Sequence, residues 1–341
     1  MHLRATRAAA ASSRPRVGLV LGAGGITGIA WLIGALQALR DHTGWDPATA
    51  DIVTGTSAGA VAAAVLTSDV DPASLLTYAE DEQALASAIR RATAGRASGG
   101  HGPAWPGSLA LGVTGLLATS PRRRLRSLAG FLPSGRRPTD EIRGLTHDAV
   151  AAGWPSHTEL WLHACDYATG QRVTFGRAGA PDADLADAVA ASCAVPAYYR
   201  PVRIGDRRYV DGGLWSFTNA DALVDQGCDV VIILSPFSSR EHGSLLGTAL
   251  YGPLRGATML RLSRDAKLLR EAGAQVVTVE PTAADLRAMG LNPMDRAPSR
   301  VVLETAVSSV AERAEELIAG IDLAPSRPAA RGDRPPQAAA A

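Results

Sequence analysis

Lysine, cysteine and aromatic residues are scarce in this 341-residue chain. Lys267 is the only lysine, and every other basic side chain is arginine, a bias that reads as genomic base composition rather than function. Formal net charge is +1, so no global field draws the chain toward nucleic acid or acidic lipid. The three cysteines (Cys165, Cys193, Cys228) are odd in number and sit among apolar residues. That excludes a disulfide framework and points to a reducing compartment. No apolar run approaches the roughly 18 residues that span a bilayer. The N-terminal MHLRATRAAAASSRPR has basic residues but only a four-alanine apolar stretch, so it reads as a disordered leader over 1–14 rather than a signal peptide. No internal repeat with a solenoid period is present.

What the chain does have begins at Asp51–Val65, DIVTGTSAGAVAAAV. A short apolar run feeds Gly55-Thr56-Ser57-Ala58-Gly59, and an Ala/Val-rich helical run follows. This is G-x-S-x-G in the context strand, sharp turn, helix. The turn would lift the Ser57 hydroxyl to a helix N-terminus, whose amides favour developing negative charge. A glycine-flanked serine that merely caps a helix would look the same in these five residues.

A similar unit precedes it. Arg16–Leu21 reads as a buried strand, Gly22–Gly28 as a glycine-rich loop, and Ile29, Leu32, Ile33, Leu36 and Leu39 recur at helical spacing. Two such units in succession predict a parallel sheet with covering helices. Further on, Glu159–Ala164 and Gln171–Phe175 read as paired strands, Asp182–Ser192 as a helix, Arg207–Val210 as a strand, Ala220–Gln226 as a helix, and Val230–Leu234 and Gln275–Val279 as strands. Pro72–Arg91 reads as a helix behind Asp71 as N-cap. Residues 237–258 are rich in Gly and Ser and read as a mobile loop, with Met259–Arg270 a surface helix. Leu303, Val307, Val310, Ala314, Leu317 and Ile321 form one stripe on a final helix. Ser108–Thr119 is apolar and precedes Arg122, Arg123, Arg124 and Arg126, which makes 108–132 either a surface-seeking patch or a core helix beside a basic turn.

A serine attacks an ester only when a base takes its proton and donors stabilise the oxyanion. Gly24 and Gly25, opening onto a helix, can turn backbone N–H groups inward as an anion nest. A dinucleotide fingerprint fits this loop poorly, because Gly28 falls one place late; a phosphate loop remains a minor alternative. For the base, His242 has the chain order of a hydrolase triad, yet it lies in a Gly/Ser-rich stretch. Asp211, at a strand end and followed by Gly212 and Gly213, is the better candidate.

Four segments, LGAGGITGIA (21–30), GTSAG (55–59), ASCAVPAYYRPV (191–202) and DGG (211–213), together resemble the patatin-like phospholipase family over roughly residues 15 to 280. The resemblance implies a three-layer α/β/α sandwich with a mostly parallel central sheet. It implies a Ser57–Asp211 dyad without a catalytic histidine, an oxyanion hole at the amides of Gly24 and Gly25, and supporting roles for Gly28, Gly55, Gly59, Gly212 and Gly213. It also implies hydrolysis of fatty-acyl esters of lipids with no metal and no cofactor. Two positions depart from the family pattern. Thr27 stands where Arg or Lys is usual, and Ala23 where Gly is usual; the backbone donors survive both.

The expected organisation is a hydrolase domain over 15–322, with a cap or insertion at 93–140 that shapes the acyl groove together with 237–258, and a disordered tail over 323–341. The expected setting is cytoplasmic with a transient membrane-surface contact, a lipid or acyl-ester substrate and no nucleic-acid partner. A non-catalytic lipid-binding or regulatory protein on the same fold is the competing reading.

Overall fold

Five consecutive buried residues, Val17–Leu21, make β1, an interior strand of the sheet flanked on both sides by parallel neighbours. In the computed structural model residues 14–68, 107–116, 127–149, 153–321 and 323 are described. The expected helix 72–91, Arg122, Arg123, Arg124 and Arg126, most of 1–14 and nearly all of the tail fall outside those residues.

The β1 strand leads through the glycine loop into α1 (Gly25–Thr43). Next come β2 (Ile52–Thr56) and α2 (Ala58–Leu66), whose every residue is buried. A short apolar helix, α3 (Leu109–Leu116), and α4 (Asp140–Ala149) precede the paired strands β3 (Glu159–Asp166) and β4 (Arg172–Phe175). Then follow α5 (Leu185–Ser192), β5 (Val202–Ile204), β6 (Arg207–Asp211) and β7 (Val230–Leu234). The chain continues through α6 (Leu245–Glu271), β8 (Gln275–Val279), α7 (Ala283–Met289), α8 (Ser299–Ala311) and α9 (Ala314–Leu317).

The eight strands form one sheet in the order β5-β6-β3-β2-β1-β7-β8, with β4 paired to β3. Strands β3, β2, β1, β7 and β8 run parallel, while β4, β5 and β6 add antiparallel pairing beside β3. The parallel strands read as continuous apolar runs because helices cover both faces. On one face α1, α2, α5 and α8 enclose the larger core, which includes Trp31, Leu32, Val53 and Ile232. On the other, Leu262 and Leu269 of α6 pack with Val20, Trp161, Val231 and Ile233. The architecture is therefore the three-layer α/β/α sandwich.

Several elements differ from the sequence expectation. The stretch 237–258 is not a loop throughout: α6 begins at Leu245, runs 27 residues and absorbs the surface helix expected at 259–270. Ser244 starts it by accepting the Gly247 N–H at 3.1 Å. Its glycines and the interior Pro253 lower local helix propensity, and packing of the C-terminal half overrides that. Residues 220–226 contain only a short 3-10 turn (Ala220–Leu223). The final stripe is split between α8 and α9. Arg14, at the edge of the expected leader, pairs with Asp51 at 2.9 Å.

Candidate functional site

The register of β3 explains how Ser57 and Asp211 come to one place. Thr56, at the end of β2, stands opposite His163, and Asp211, at the end of β6, stands opposite Ala164. Consecutive residues of one strand thus set the ends of two others side by side. The residue after Thr56 has to leave the sheet where Asp211 takes over the pairing.

Ser57 makes that departure with φ 54° and ψ −117° and heads α2. A side chain in this region costs about 1–3 kcal/mol and persists only where neighbours hold it. Here they do. The Ser57 N–H donates to Ser192 Oγ at 2.9 Å, and the Ser192 hydroxyl donates to the His163 carbonyl at 2.6 Å. The Cys193 thiol donates to the Ser57 carbonyl at 3.2 Å. Gly59 is needed because a Cβ there would collide with the carbonyl of Leu21.

Asp211 is buried, with its N–H bonded to the Ala194 carbonyl at 3.0 Å. Oδ1 accepts the Gly213 N–H at 2.6 Å. Oδ2 is buried with no fully formed hydrogen bond among the described residues. Desolvation pushes the carboxyl up to about 6, against opposing pulls from the Ser57 hydroxyl and the Gly213 amide. The Ser57 hydroxyl is thus among the groups that favour the charged carboxylate.

The glycine loop supplies donors of the right kind. The Ala23 N–H is spent on the Phe217 carbonyl at 2.7 Å, and the Thr27 N–H on that of Pro293 at 3.1 Å. Between them, the N–H groups of Gly24 and Gly25 have no acceptor among the described residues, nor does that of Ala58 at the start of α2. Gly25 has φ +68° and abuts the Pro293 carbonyl, so a larger residue there meets both strain and collision. Arg255 lies behind this loop, lining a small gap with Gly24 and Thr27; it sits over the Phe237 ring at 4.8 Å.

Ser57, Asp211, Gly24 and Gly25 all open onto one cavity of about 460 Å³. Its walls are apolar, with Ile29, Val61, Ile142, Leu214, Phe237 and Met294 among them. Glu141 and Arg296, which also line it, form an ion pair with each other. Gly28, Gly55, Gly212 and Gly213 lie around the same turns; a Cβ on Gly212 would strike the His163 carbonyl.

His242 is exposed and lines a different cavity, so the geometry does not bring it to Ser57. His163 is buried between Thr54 and Thr174, at 2.8 and 3.1 Å. Burial, reinforced by Arg172 and Arg177, holds its pKa well below the usual value. It is a neutral core histidine. No cluster of His, Cys, Asp or Glu among the described residues is arranged to hold a metal.

Sequence reasoning gave no role to two residues that brace the site. Ser192 lay inside a quoted motif, but its two-sided bond needs the fold to be seen. Asn219, buried in a left-handed conformation, donates to Thr56 Oγ1 at 3.0 Å and to the Ser216 carbonyl at 2.7 Å, tying the Asp211 loop to the end of β2.

A family model described as Patatin-like phospholipase matches residues 19–224. Among solved structures, the type III effector protein ExoU is 18% identical, with a TM-score of 0.36; the alignment covers 89% of this chain and 53% of that one, so this chain spans about half of the ExoU length. VipD from Legionella pneumophila is 12% identical with a TM-score of 0.37, covering 90% of this chain and 68% of that one. Neither likeness bears on the chemistry. The family model, however, takes in more than half of the sequence, from β1 past the end of β6, and the chain belongs to the patatin-like phospholipase family.

Proposed function

We propose that this chain is a lipid ester hydrolase that works through an acyl-enzyme, with Ser57 as nucleophile and Asp211 as base. The observation that carries the reading is an apolar cavity on which a strained serine, a buried carboxylate and main-chain amides without an acceptor among the described residues converge.

The steps balance as follows. Ser57 Oγ attacks the ester carbonyl carbon while its proton passes to Asp211. The oxyanion accepts from the Gly24 and Gly25 N–H groups, with Ala58 N–H a third donor in reach of the same turn. Collapse breaks the ester C–O bond, and the leaving alcohol takes the proton from Asp211. Water then attacks the acyl-enzyme and gives its proton to Asp211. The second collapse releases the fatty acid and returns that proton to Ser57. A carboxylate raised to about 6 suits this work: it is charged at pH 7 yet more basic than an exposed aspartate. The apolar walls fit an acyl chain and lower the local dielectric around the oxyanion.

The test uses p-nitrophenyl butyrate as a short soluble ester and a fluorophosphonate probe. Ser57→Ala and Asp211→Asn should each abolish hydrolysis with the circular dichroism spectrum retained, and the probe should label the wild type but not Ser57→Ala. A wild-type chain that neither labels nor hydrolyses would leave lipid binding without catalysis. Loss of activity in His242→Ala but not in Asp211→Asn would overturn the dyad.

A further inference from the structure

The first half of α6 carries more exposed aliphatic surface than a water-facing helix should. Leu245 is 93% exposed, Leu246 63%, Leu250 60% and Leu254 44%. Leu246, Leu250 and Leu254 are spaced four apart and form one row on the helix surface. Leu291, also exposed, extends the patch beside Gly247. Residues 243–254, GSLLGTALYGPL, contain no charged side chain; the nearest charges are Glu241 before them and Arg255 after. The second half buries Leu262, Ala266 and Leu269 and leaves one aliphatic side chain, Leu260, exposed beside Arg261 rather than in a row.

The row leads somewhere. Leu254 and its neighbour Tyr251 also line the cavity that holds Ser57 and Asp211. The apolar surface is therefore continuous from the exposed leucines into the cavity. The apolar residues of α3 that are exposed, Leu109 and Val113, have no such continuity, because neither lines that cavity.

We propose that the leucine row of α6 is a docking face for the surface of a lipid assembly, with the lip at Tyr251 and Leu254 the passage by which an acyl chain enters. This rests on the lipid reading above and adds where the protein meets its substrate. The occupant follows from continuity: the cavity accepts an apolar chain, and an uncharged row leading into it admits the acyl boundary of a lipid layer without stranding a charge. This places a contact at residues 245–254, separate from the expected 108–132 segment, of which 117–126 lie outside the described residues.

The experiment is co-sedimentation of the full chain with vesicles of phosphatidylcholine and phosphatidylglycerol, alongside p-nitrophenyl butyrate hydrolysis. The wild type should sediment with vesicles. The double variant L246E/L250E should partition about tenfold less or worse while hydrolysing the soluble ester at the wild-type rate. Leu245→Trp, which keeps the apolar area, should add blue-shifted emission on vesicles. Wild-type chain that stays in the supernatant, a double variant that sediments unchanged, or unshifted Trp emission would each overturn the proposal. So would a wild-type dimer that L246E/L250E turns into a monomer with vesicle binding intact, which would make the row a contact between two copies. A chain that sediments through this row but cleaves no ester would sink the catalytic reading and leave the docking face standing.

Discussion

Ser192 holds Ser57 from behind: its Oγ accepts the Ser57 N–H at 2.9 Å while its own proton goes to the His163 carbonyl at 2.6 Å. One buried hydroxyl thereby joins the strained turn to the strand that also aligns Asp211. Ser192→Ala strands a buried N–H and a buried carbonyl, at about 1–3 kcal/mol. If Ser57 is the nucleophile, the loosened turn should lower kcat for a short ester about 10–100-fold with KM little changed, since orientation rather than binding is lost. Steady-state kinetics beside thermal melting separate the two effects. A drop in melting temperature with kcat intact would confine Ser192 to folding.

The backbone of Ser57 gives a second expectation. At φ 54° and ψ −117° a Cβ is a liability. Ser57→Gly relieves about 1–3 kcal/mol of strain, and the extra backbone entropy of glycine in the unfolded chain returns about 0.5–1 kcal/mol of that. Ser57→Gly should therefore melt a few degrees above Ser57→Ala, with both inactive. Equal melting temperatures would mean the turn stores no more than about 1 kcal/mol of strain, the amount that glycine entropy offsets.

Much of the scaffold around this turn was legible because local pattern and tertiary demand agree there. Strand β1, the glycine loop, α1, β2 and α2 each announce themselves by an apolar run or a helical period, and the parallel sheet follows from their alternation. The α6 helix was not legible in its first half. Glycines at 247, 252 and 256 with Pro253 carry the signature of a loop, and the helix forms there as an extension of a packed C-terminal half. Strand β5 is three residues long, too short for any periodicity to register. At the site, Ser57 and Asp211 stood out by motif. The bracing by Ser192 and Asn219 did not, because a hydrogen bond between residues far apart in the chain leaves no local trace.

Asp211 should show opposite signs in activity and stability. Desolvation raises its folded pKa to about 6, above the ordinary carboxylate value of 3.8, so the native state binds the proton more tightly than the unfolded chain. The stability gained from protonation is full below about pH 4 and is lost as pH rises through about 6. At pH 7 the buried charge then costs about 3 kcal/mol, at 1.36 kcal/mol per pK unit. Asp211→Asn should accordingly raise stability at pH 7 by up to that amount, with the gain fading toward pH 4, while removing the proposed base. For the wild type, kcat/KM should rise with pH along an acid limb centred near 6, because that ratio reports the free enzyme's carboxyl. Denaturant melts across pH and a pH–rate profile check both; an Asp211→Asn that is destabilised at neutral pH would show that the carboxylate is better solvated than its burial implies.

His163 contributes with the other sign. Its folded pKa is lowered well below 6.5 by burial, with Arg172 and Arg177 adding to the effect. The unfolded chain therefore takes up the proton first as pH falls. Stability from the neutral imidazole is present above about pH 6.5 and drains below it, with a slope of up to about 1.4 kcal/mol per pH unit. Between about pH 4 and 6 the two groups oppose each other, His163 weakening the fold as Asp211 strengthens it. Asp211→Asn deletes only the strengthening part, so this variant should lose stability more steeply than the wild type on going from pH 6.5 to 4. Parallel pH–stability curves for the two proteins would mean that Asp211 does not titrate as its surroundings require, and His163→Gln checks the other group: a flattened acid slope in that variant assigns the loss to the histidine.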